Sequence, residues 1–140
     1  DGDDPGYFGR LRVAHQVAAV TGACLVTARK TWMEVDGMDE RHLAVAYNDI
    51  DYCLRVRRLG LRSVVTPAAR LTHHESVSRG YDDDPTRRLR LDAELEVMRE
   101  RWGAELTVDP AYNPNLDLVD GGFRIDAQPR SPHIRTFLAT

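Results

Sequence analysis

Cysteine is scarce in this sequence, and the cysteines present form no metal-binding pattern. Only Cys24 and Cys53 occur among 140 residues, with no Cys-x-x-Cys pair and no Cys/His zinc spacing. Each lies in an apolar stretch, where a free thiol behaves as a small hydrophobic side chain. We therefore expect two buried free thiols rather than a disulfide or a zinc site.

Long hydrophobic runs are also missing. The longest, Val17 to Val26, is interrupted by Thr21 and Gly22, whereas a membrane span needs ~20 consecutive apolar residues. We expect no transmembrane segment in this chain. The first residues contain no signal-peptide core. They also lack an initiator methionine, from which we expect a processed or excised start, in either a fragment of a longer enzyme or a natural truncation.

The sequence has no excess of basic charge. Its net charge is −3, so electrostatics gives no reason to expect a nucleic-acid partner or an anionic membrane surface. Arginines are nevertheless dense in one region, where they either coat a solvated face or border a phosphate-containing ligand. The members of this cluster are Arg55, Arg57, Arg58, Arg62 and Arg70.

What is present is the composition of one globular domain. Hydrophobic residues make up 42% of the chain and charged residues 29%, and a chain of this length supports one core of ordinary size but not two. Strand-like and helix-like segments alternate along it, which predicts an α/β fold with a small sheet of three to five strands.

The segments can be placed from turn residues and apolar spacing. Asn48 to Leu59 has the clearest helix pattern, because acidic residues stand at its start, arginines at its end, and Gly60 follows. The remaining predictions are helices over 27–35 and 85–102, strands over 15–27, 61–66 and 69–72, a loop over 1–10, and an extended tail over 104–140 with one strand near 122–125.

Two segments carry polar side chains of the kinds that bind metals or act in catalysis. Asn48-Asp49-Ile50-Asp51 puts two carboxylates at a helix start, where they could bind a metal, act as a general base, or simply cap the helix. The stretch 71–80 (LTHHESVSRG) leaves a short strand with two histidines, a glutamate and an arginine. Strand ends are common ligand sites in α/β proteins, although a surface loop would explain the same residues.

The order of several motifs resembles family 2 glycosyltransferases of the GT-A fold. The resemblance covers about residues 5–126, and the stretch 73–80 together with the tail 109–116 is similar to a subgroup linked to O-antigen and rhamnan-type polysaccharide synthesis. The matching segments are VTGACLV (20–26), Arg29, Trp32, VDGMDE (35–40), NDIDYCLR (48–55), Gly60, Pro67 and His73.

This resemblance implies the C-terminal, acceptor-side part of a glycosyltransferase domain, spanning 1–140. The fold would be α/β, a partial Rossmann-like GT-A domain with a small mixed sheet, flanking helices and an extended tail. The parent enzyme would move a sugar, with inversion, from a nucleotide-diphosphate donor to a saccharide or lipid-linked acceptor, using Mn²⁺ or Mg²⁺. We expect the isolated chain to be inactive, because the donor-binding half with its Asp-x-Asp motif is not encoded here.

Residue by residue, the resemblance assigns the roles of a transferase site. Asp49 would be the general base that deprotonates the acceptor hydroxyl. Gly22 and Ala23 would line the junction between acceptor and donor, and His73 would bind the metal or the diphosphate. The other substrate-binding candidates are Asn48, Asp51 and Arg79, and Asp51 could also hold Arg55 at i+4.

The chain departs from the family pattern at two positions. Asn48 stands where the family has Glu, which keeps a capping group and loses a charge. Asp36 stands where the family has the first Gly of a Val-Gly-Gly turn, which puts that tight turn in doubt.

Further expectations concern partners and rival functions. We expect a cytoplasmic protein, either free or at the inner face of the membrane, and self-association through apolar surface around residues 17–26. One rival is a non-catalytic interaction module that retains half of the fold. Another is a metal-dependent hydrolase built on Asp49, Asp51, His73 and Glu75.

Overall fold

A computed structural model of the chain describes residues 4–72, 85–118 and 123–128. Within these ranges it is a small mixed α/β unit with three α-helices and one two-stranded sheet. The helices are α1 (Arg29–Glu34), α2 (Asn48–Arg58) and α3 (Pro85–Trp102), the strands are β1 (His15–Val17) and β2 (Ser63–Val65), and turns of 3₁₀ helix cover Tyr7–Arg12, Gly22–Cys24 and Gly103–Thr107.

Helix α2 lies at the centre of the core, and α3 packs on one of its faces. Leu54 of α2 is buried with Leu43, which precedes it, and with Met98 and Trp102 of α3. The 98 and 102 positions share one face of α3 because they are four residues apart. Burying these side chains fixes α3 against the middle of α2 and the segment before it.

The opposite face of α2 packs against the segment that follows β1. Tyr52, Cys53 and Val56 form a second buried cluster. The partly buried residues packed against it are Ala19, Val20, Leu25, Val35 and Met38. Consecutive residues of α2 thus serve two clusters, which explains why the helix is buried over most of its circumference.

The predicted helices agree with the structure, and two of the predicted strands do not. The strand expected over 15–27 ends at Val17, because the amide of Val20 donates to Sγ of Cys53 (3.5 Å) instead of to a neighbouring strand. The strand expected over 69–72 does not form. Pro67 lacks an amide hydrogen, and the amide of Ala68 donates to Oγ1 of Thr66 in a turn.

The sheet itself is smaller than predicted. β1 and β2 pair in antiparallel register, with Gln16 opposite Val64, and no third strand joins them within the described ranges. The loop expected over 1–10 is partly 3₁₀ helix. The predicted tail is largely irregular after Thr107, and its one pairing in the described part is an antiparallel bridge between Leu116 and Ile125.

The structure bears on two further predictions, which concern the cysteines and membrane-spanning helices. Both thiols are free, as predicted, but only Cys53 is buried, whereas Cys24 is exposed. No helix in the described part of the chain has the length and hydropathy needed to cross a membrane.

Candidate functional site

The carboxylate of Asp49 is held at the first turn of α2. Its Oδ2 accepts a 2.8 Å hydrogen bond from the amide of Gly22, and its Oδ1 accepts one of 2.8 Å from the amide of Ile50. An ionised carboxylate has about four acceptor positions. Asp49 is therefore oriented by two donors and keeps capacity for a third, such as a substrate hydroxyl.

Gly22 reaches Asp49 because the chain turns sharply after β1. Thr21 accepts from the amide of Ala23 (3.3 Å), which closes the 3₁₀ turn and directs the Gly22 amide at α2. A Cβ on Gly22 would lie 3.4 Å from Cβ of Asp49 and 3.7 Å from Cε of Met38. The structure thus brings two of the predicted site residues into direct contact, with Ala23 exposed beside them.

Asn48 is the first residue of α2 and is half-buried beside Asp49. Its predicted capping role is wrong, because the N-cap position belongs to Tyr47, a non-glycine residue in the left-handed region (φ 62°). The amide of Asp51 donates to the carbonyl oxygen of Tyr47 at 2.8 Å, so the helix begins one residue earlier than a capping Asn48 would give.

Asp51 is fully buried, and its carboxylate accepts hydrogen bonds from three donors. Its Oδ2 accepts from Nε of Arg55 at 2.8 Å, which confirms the predicted i+4 pair. Its Oδ1 accepts from Nη1 of Arg101 (2.8 Å) and from Nε1 of Trp102 (2.9 Å). With 0% of its surface exposed, Asp51 has no face to offer a substrate and acts as an anchor between α2 and α3. Its predicted role in substrate binding stays a prediction.

Asp39 is joined to the same network through Arg101. Nη2 of Arg101 donates to Oδ2 of Asp39 at 2.7 Å, and the amides of Arg41 and His42 donate to Oδ1. Burial raises the pKa of the Asp39 carboxyl, but the hydrogen bonds from Arg101, His42 and Arg41 outweigh it and hold that pKa well below its usual range. Hydrogen bonds to Asp39 and Asp51 raise the pKa of Arg101, so Arg101 and Asp39 form an ion pair at neutral pH.

Glu94 of α3 was missed from the sequence. It is 4% exposed, and its carboxylate accepts from the amides of Ala46 (2.6 Å) and Val45 (3.3 Å), directly before α2. A signal for it exists: Glu94 stands four residues before Met98 and eight before Trp102, so a charged side chain occupies the apolar stripe of α3. A carboxylate placed there must find donors in the interior.

The arginine cluster predicted to face solvent or a phosphate is largely engaged within the protein. Arg57 and Arg58 both donate to Glu105, at 3.1 and 2.6 Å, and Arg58 also lies over the ring of Trp102 at 4.2 Å. The two guanidinium groups, Arg58 first, lower the pKa of the Glu105 carboxyl. Arg55 donates to Asp51 and to the carbonyl of Val35.

A mainly apolar cleft of about 780 Å³ lies beside the Gly22 turn. Thr21 and Ala23 stand on its wall together with residues of α2 and β2, and Arg62 contributes a charge. On the same segment Val26 is 95% exposed, but Ala19, Val20 and Leu25 pack against the core, so the apolar surface predicted over 17–26 is exposed only in part. Self-association through that surface stays a prediction.

Two predicted site residues, His73 and Arg79, lie outside the described residues, as does Glu75. The relation of His73 to Asp49 is therefore untested. Within 4–72, 85–118 and 123–128, no group of three or more His, Cys, Asp or Glu side chains could hold a metal ion. The described residues alone do not supply a metal site, and the predicted divalent ion stays a prediction.

Comparison with known proteins gives a general relationship to polysaccharide biosynthesis. No family model and no solved structure matches the chain. The chain is 48% identical over 122 residues to the uncharacterized protein y4gI of Sinorhizobium fredii, which is 87% of this chain and 13% of that protein. It is 36% identical over 119 residues to the O-antigen biosynthesis protein RfbC of Myxococcus xanthus, covering 84% of this chain and 9% of RfbC.

A third relative has a more specific name. This chain is 35% identical to the N-acetylglucosaminyl-diphospho-decaprenol L-rhamnosyltransferase of Mycobacterium tuberculosis over 66 residues. The match covers 47% of this chain and 21% of that relative. The chain thus spans between about a tenth and a fifth of the length of these relatives. These similarities relate the chain to glycosyltransferases in general.

Proposed function

We propose that this chain is the acceptor-side part of an inverting family 2 glycosyltransferase of the GT-A fold, with Asp49 as its general base. The single observation that carries the proposal is the contact between Asp49 and Gly22, since it joins the two segments that resemble the acceptor site of that family. The names of the relatives support sugar transfer as the reaction.

In this reaction the acceptor hydroxyl donates its hydrogen bond to Asp49. As the hydroxyl oxygen attacks the anomeric carbon, its proton passes to the carboxylate, and the bond from that carbon to the diphosphate oxygen breaks. The nucleoside diphosphate leaves with the bonding electrons. Attack opposite the leaving group inverts the anomeric configuration.

The remaining residues of the site would shape and orient the substrates. Gly22 and Ala23 put little bulk beside Asp49, which leaves room for a sugar ring. Asn48 has an amide at the same helix start for a sugar hydroxyl. Roles for His73 and Arg79 at the diphosphate follow from the resemblance alone, and no step described here passes through a metal ion.

The acceptor proposed for this site is a saccharide, free or linked to a lipid diphosphate. The rhamnosyltransferase relative is named for an acceptor of the second kind. The hydrolase alternative is less well supported, because it needs Asp51 as a ligand and all of that side chain is buried.

The test is an acceptor-dependent transfer assay with the full-length protein that contains this chain. Single nucleotide-diphosphate sugars are incubated with saccharide and lipid-diphosphate-linked acceptors, with Mn²⁺ or Mg²⁺ present. We expect nucleoside diphosphate release that requires an acceptor, and NMR of the product should show the inverted anomer. Absence of release from a folded protein across the panel would support the non-catalytic alternative, and a retained anomer would contradict Asp49 as base.

A further inference from the structure

Helix α3 reaches the backbone directly before the candidate base through a buried carboxylate. Glu94 accepts from the amides of Val45 and Ala46, and Tyr47 then turns into α2 with a left-handed backbone. Both donors are backbone groups, so they fix the position of the main chain rather than of one side chain. Hydrogen bonds to an ionised carboxylate are roughly twice as strong as neutral ones, and the bond from Ala46 is short, at 2.6 Å.

A second charged residue of α3 holds the same segment at two further points. Nη1 of Arg101 bonds Oδ1 of Asp51, and Nη2 bonds Oδ2 of Asp39. The planar guanidinium can bridge two carboxylates in a fixed geometry, which a lysine ammonium cannot reproduce. Residues 39–51 are therefore attached to α3 at three places: before α2, at the entry to α2 and within the first turn of α2.

Asp49 lies between two of these attachment points. Ala46 precedes it by three residues and Asp51 follows it by two, while its own carboxylate bonds Gly22 on a different segment. No contact described for α3 involves Asp49. Any influence of Glu94 and Arg101 on the base must therefore act through the backbone of 45–51.

We propose that Glu94 and Arg101 are positioning residues, which hold the backbone of residues 45–51 at the orientation where Asp49 meets Gly22. This inference rests on the proposed function, because it gives Asp49 the role of base. Core packing of α3 through Met98 and Trp102 holds the helix near α2, but apolar contact is not directional. The hydrogen bonds supply the orientation that a base needs within a fraction of an ångström.

The first test compares Glu94→Gln with Glu96→Gln in the 140-residue chain. Glutamine keeps the size of Glu94 but turns one acceptor into a donor that faces a backbone amide. Glu96 lies two residues along the same helix and pairs with Arg99 instead. The readout is the change in the NMR chemical shift of the Gly22 amide proton on acidification, because this proton is hydrogen-bonded to the Asp49 carboxylate.

The wild type and Glu96→Gln should show the same acid-induced shift of the Gly22 amide. Asp49→Asn should abolish it, and Glu94→Gln should reduce it by at least half in the folded protein. A Glu94→Gln variant that is less stable but keeps the full Gly22 response would overturn the proposal, because Glu94 would then be structural only. If this variant does not fold, Arg101→Lys against Arg99→Lys provides the same comparison.

Kinetics of the full-length protein provide the second test. Glu94→Gln and Arg101→Lys should lower kcat on the order of 10- to 100-fold and leave the KM for the donor sugar unchanged. Glu94→Asp should recover part of the loss, because it restores both acceptors on a shorter side chain. Unchanged kcat in both variants would overturn the proposal. If the wild-type protein shows no sugar transfer, the proposed function is rejected instead. The acid-induced shift of the Gly22 amide then still tests whether Glu94 and Arg101 position Asp49.

Discussion

The amide of Gly22 donates to the carboxylate of Asp49 over 2.8 Å, although the two residues are 27 positions apart in the chain. This contact connects the turn after β1 to the start of α2. A Cβ at Gly22 would already lie in van der Waals contact with Asp49, so the contact leaves little room for a larger side chain. The candidate site is therefore a property of two segments and not of one motif.

Bulk at Gly22 should disturb Asp49 in proportion to its size. An alanine Cβ would sit 3.4 Å from Cβ and 3.6 Å from Oδ2 of Asp49, an ordinary contact, so Gly22→Ala should keep the Ile50 amide signal at its wild-type position. Gly22→Val adds two methyl groups towards the carboxylate and should shift that signal and lower transfer on the order of 10²-fold. A valine variant with the wild-type Ile50 signal would show that Asp49 does not depend on this contact.

Gly37 and Gly60 both have left-handed backbones, but an added side chain would meet a steric clash only at Gly37. Alanine substitutions at the two positions therefore distinguish conformational strain from steric clash. A Cβ on Gly37 (φ 62°) would lie 2.8 Å from Cζ2 of Trp32, whereas a Cβ on Gly60 (φ 77°) would meet nothing within 4 Å. Gly60→Ala should lower the free energy of unfolding by about 1 kcal/mol, and Gly37→Ala by clearly more. Urea denaturation measures both, and equal losses would refute the role of Trp32.

The turn at Gly37 also shows how the chain accommodates Asp36 at a position where family 2 glycosyltransferases have glycine. Asp36 itself adopts the left-handed region, with φ 59°, a conformation that Asp and Asn tolerate better than most residues. The tight turn that Asp36 put in doubt is therefore present in the structure. Asp36→Gly should leave stability unchanged or raise it slightly, and a destabilised variant would mean that the Asp36 side chain contributes.

Loss of the charge on Asp51 should be among the most damaging single changes in the core. Asp51→Asn would leave Arg55 and Arg101 facing an amide inside the protein, and breaking a buried ion pair costs roughly 3–5 kcal/mol. Asp92→Asn, on the exposed side of α3, is the matched control and should change little. Urea denaturation distinguishes them, and similar midpoints would contradict the anchoring role of Asp51.

The acid sensitivity of the fold should depend on Asp39. Because the pKa of this carboxyl is lower in the folded than in the unfolded state, its contribution is complete above the unfolded value of about 4. It is lost as pH falls from there towards the folded pKa. Asp39→Asn should therefore be less stable than wild type at pH 7, and the difference in urea midpoint should shrink below pH 4. A constant difference would mean that Asp39 does not titrate with folding.

Local signals in the sequence predict the helices well. Helix α2 matches its prediction to within one residue, because acidic residues at the start, arginines at the end and Gly60 all act within the helix itself. Helix α3 begins at Pro85 and ends at Trp102 as predicted, since Pro at the first position and Gly103 after the last are also local.

Features that depend on distant partners were not predictable in the same way. Residues 18–27 have strand-like composition, yet they pack on α2 through Cys53, and an isolated segment cannot specify which partner it finds. The burial of Asp51 depends on Arg101 and Trp102, about 50 positions later. Glu94 was missed for the same reason, since its donors lie 48 and 49 positions earlier.

The central claim is that Asp49 accepts the proton of the acceptor, and Asp49→Asn tests it most directly. The amide keeps the shape of the side chain, and its oxygen can accept from Gly22 at the loss of the Ile50 bond, but it cannot take a proton. In the full-length protein, sugar transfer should fall on the order of 10²–10⁴-fold, with donor affinity and unfolding midpoint near those of wild type and of Asp92→Asn. An Asp49→Asn variant that transfers sugar at the wild-type rate would contradict the account.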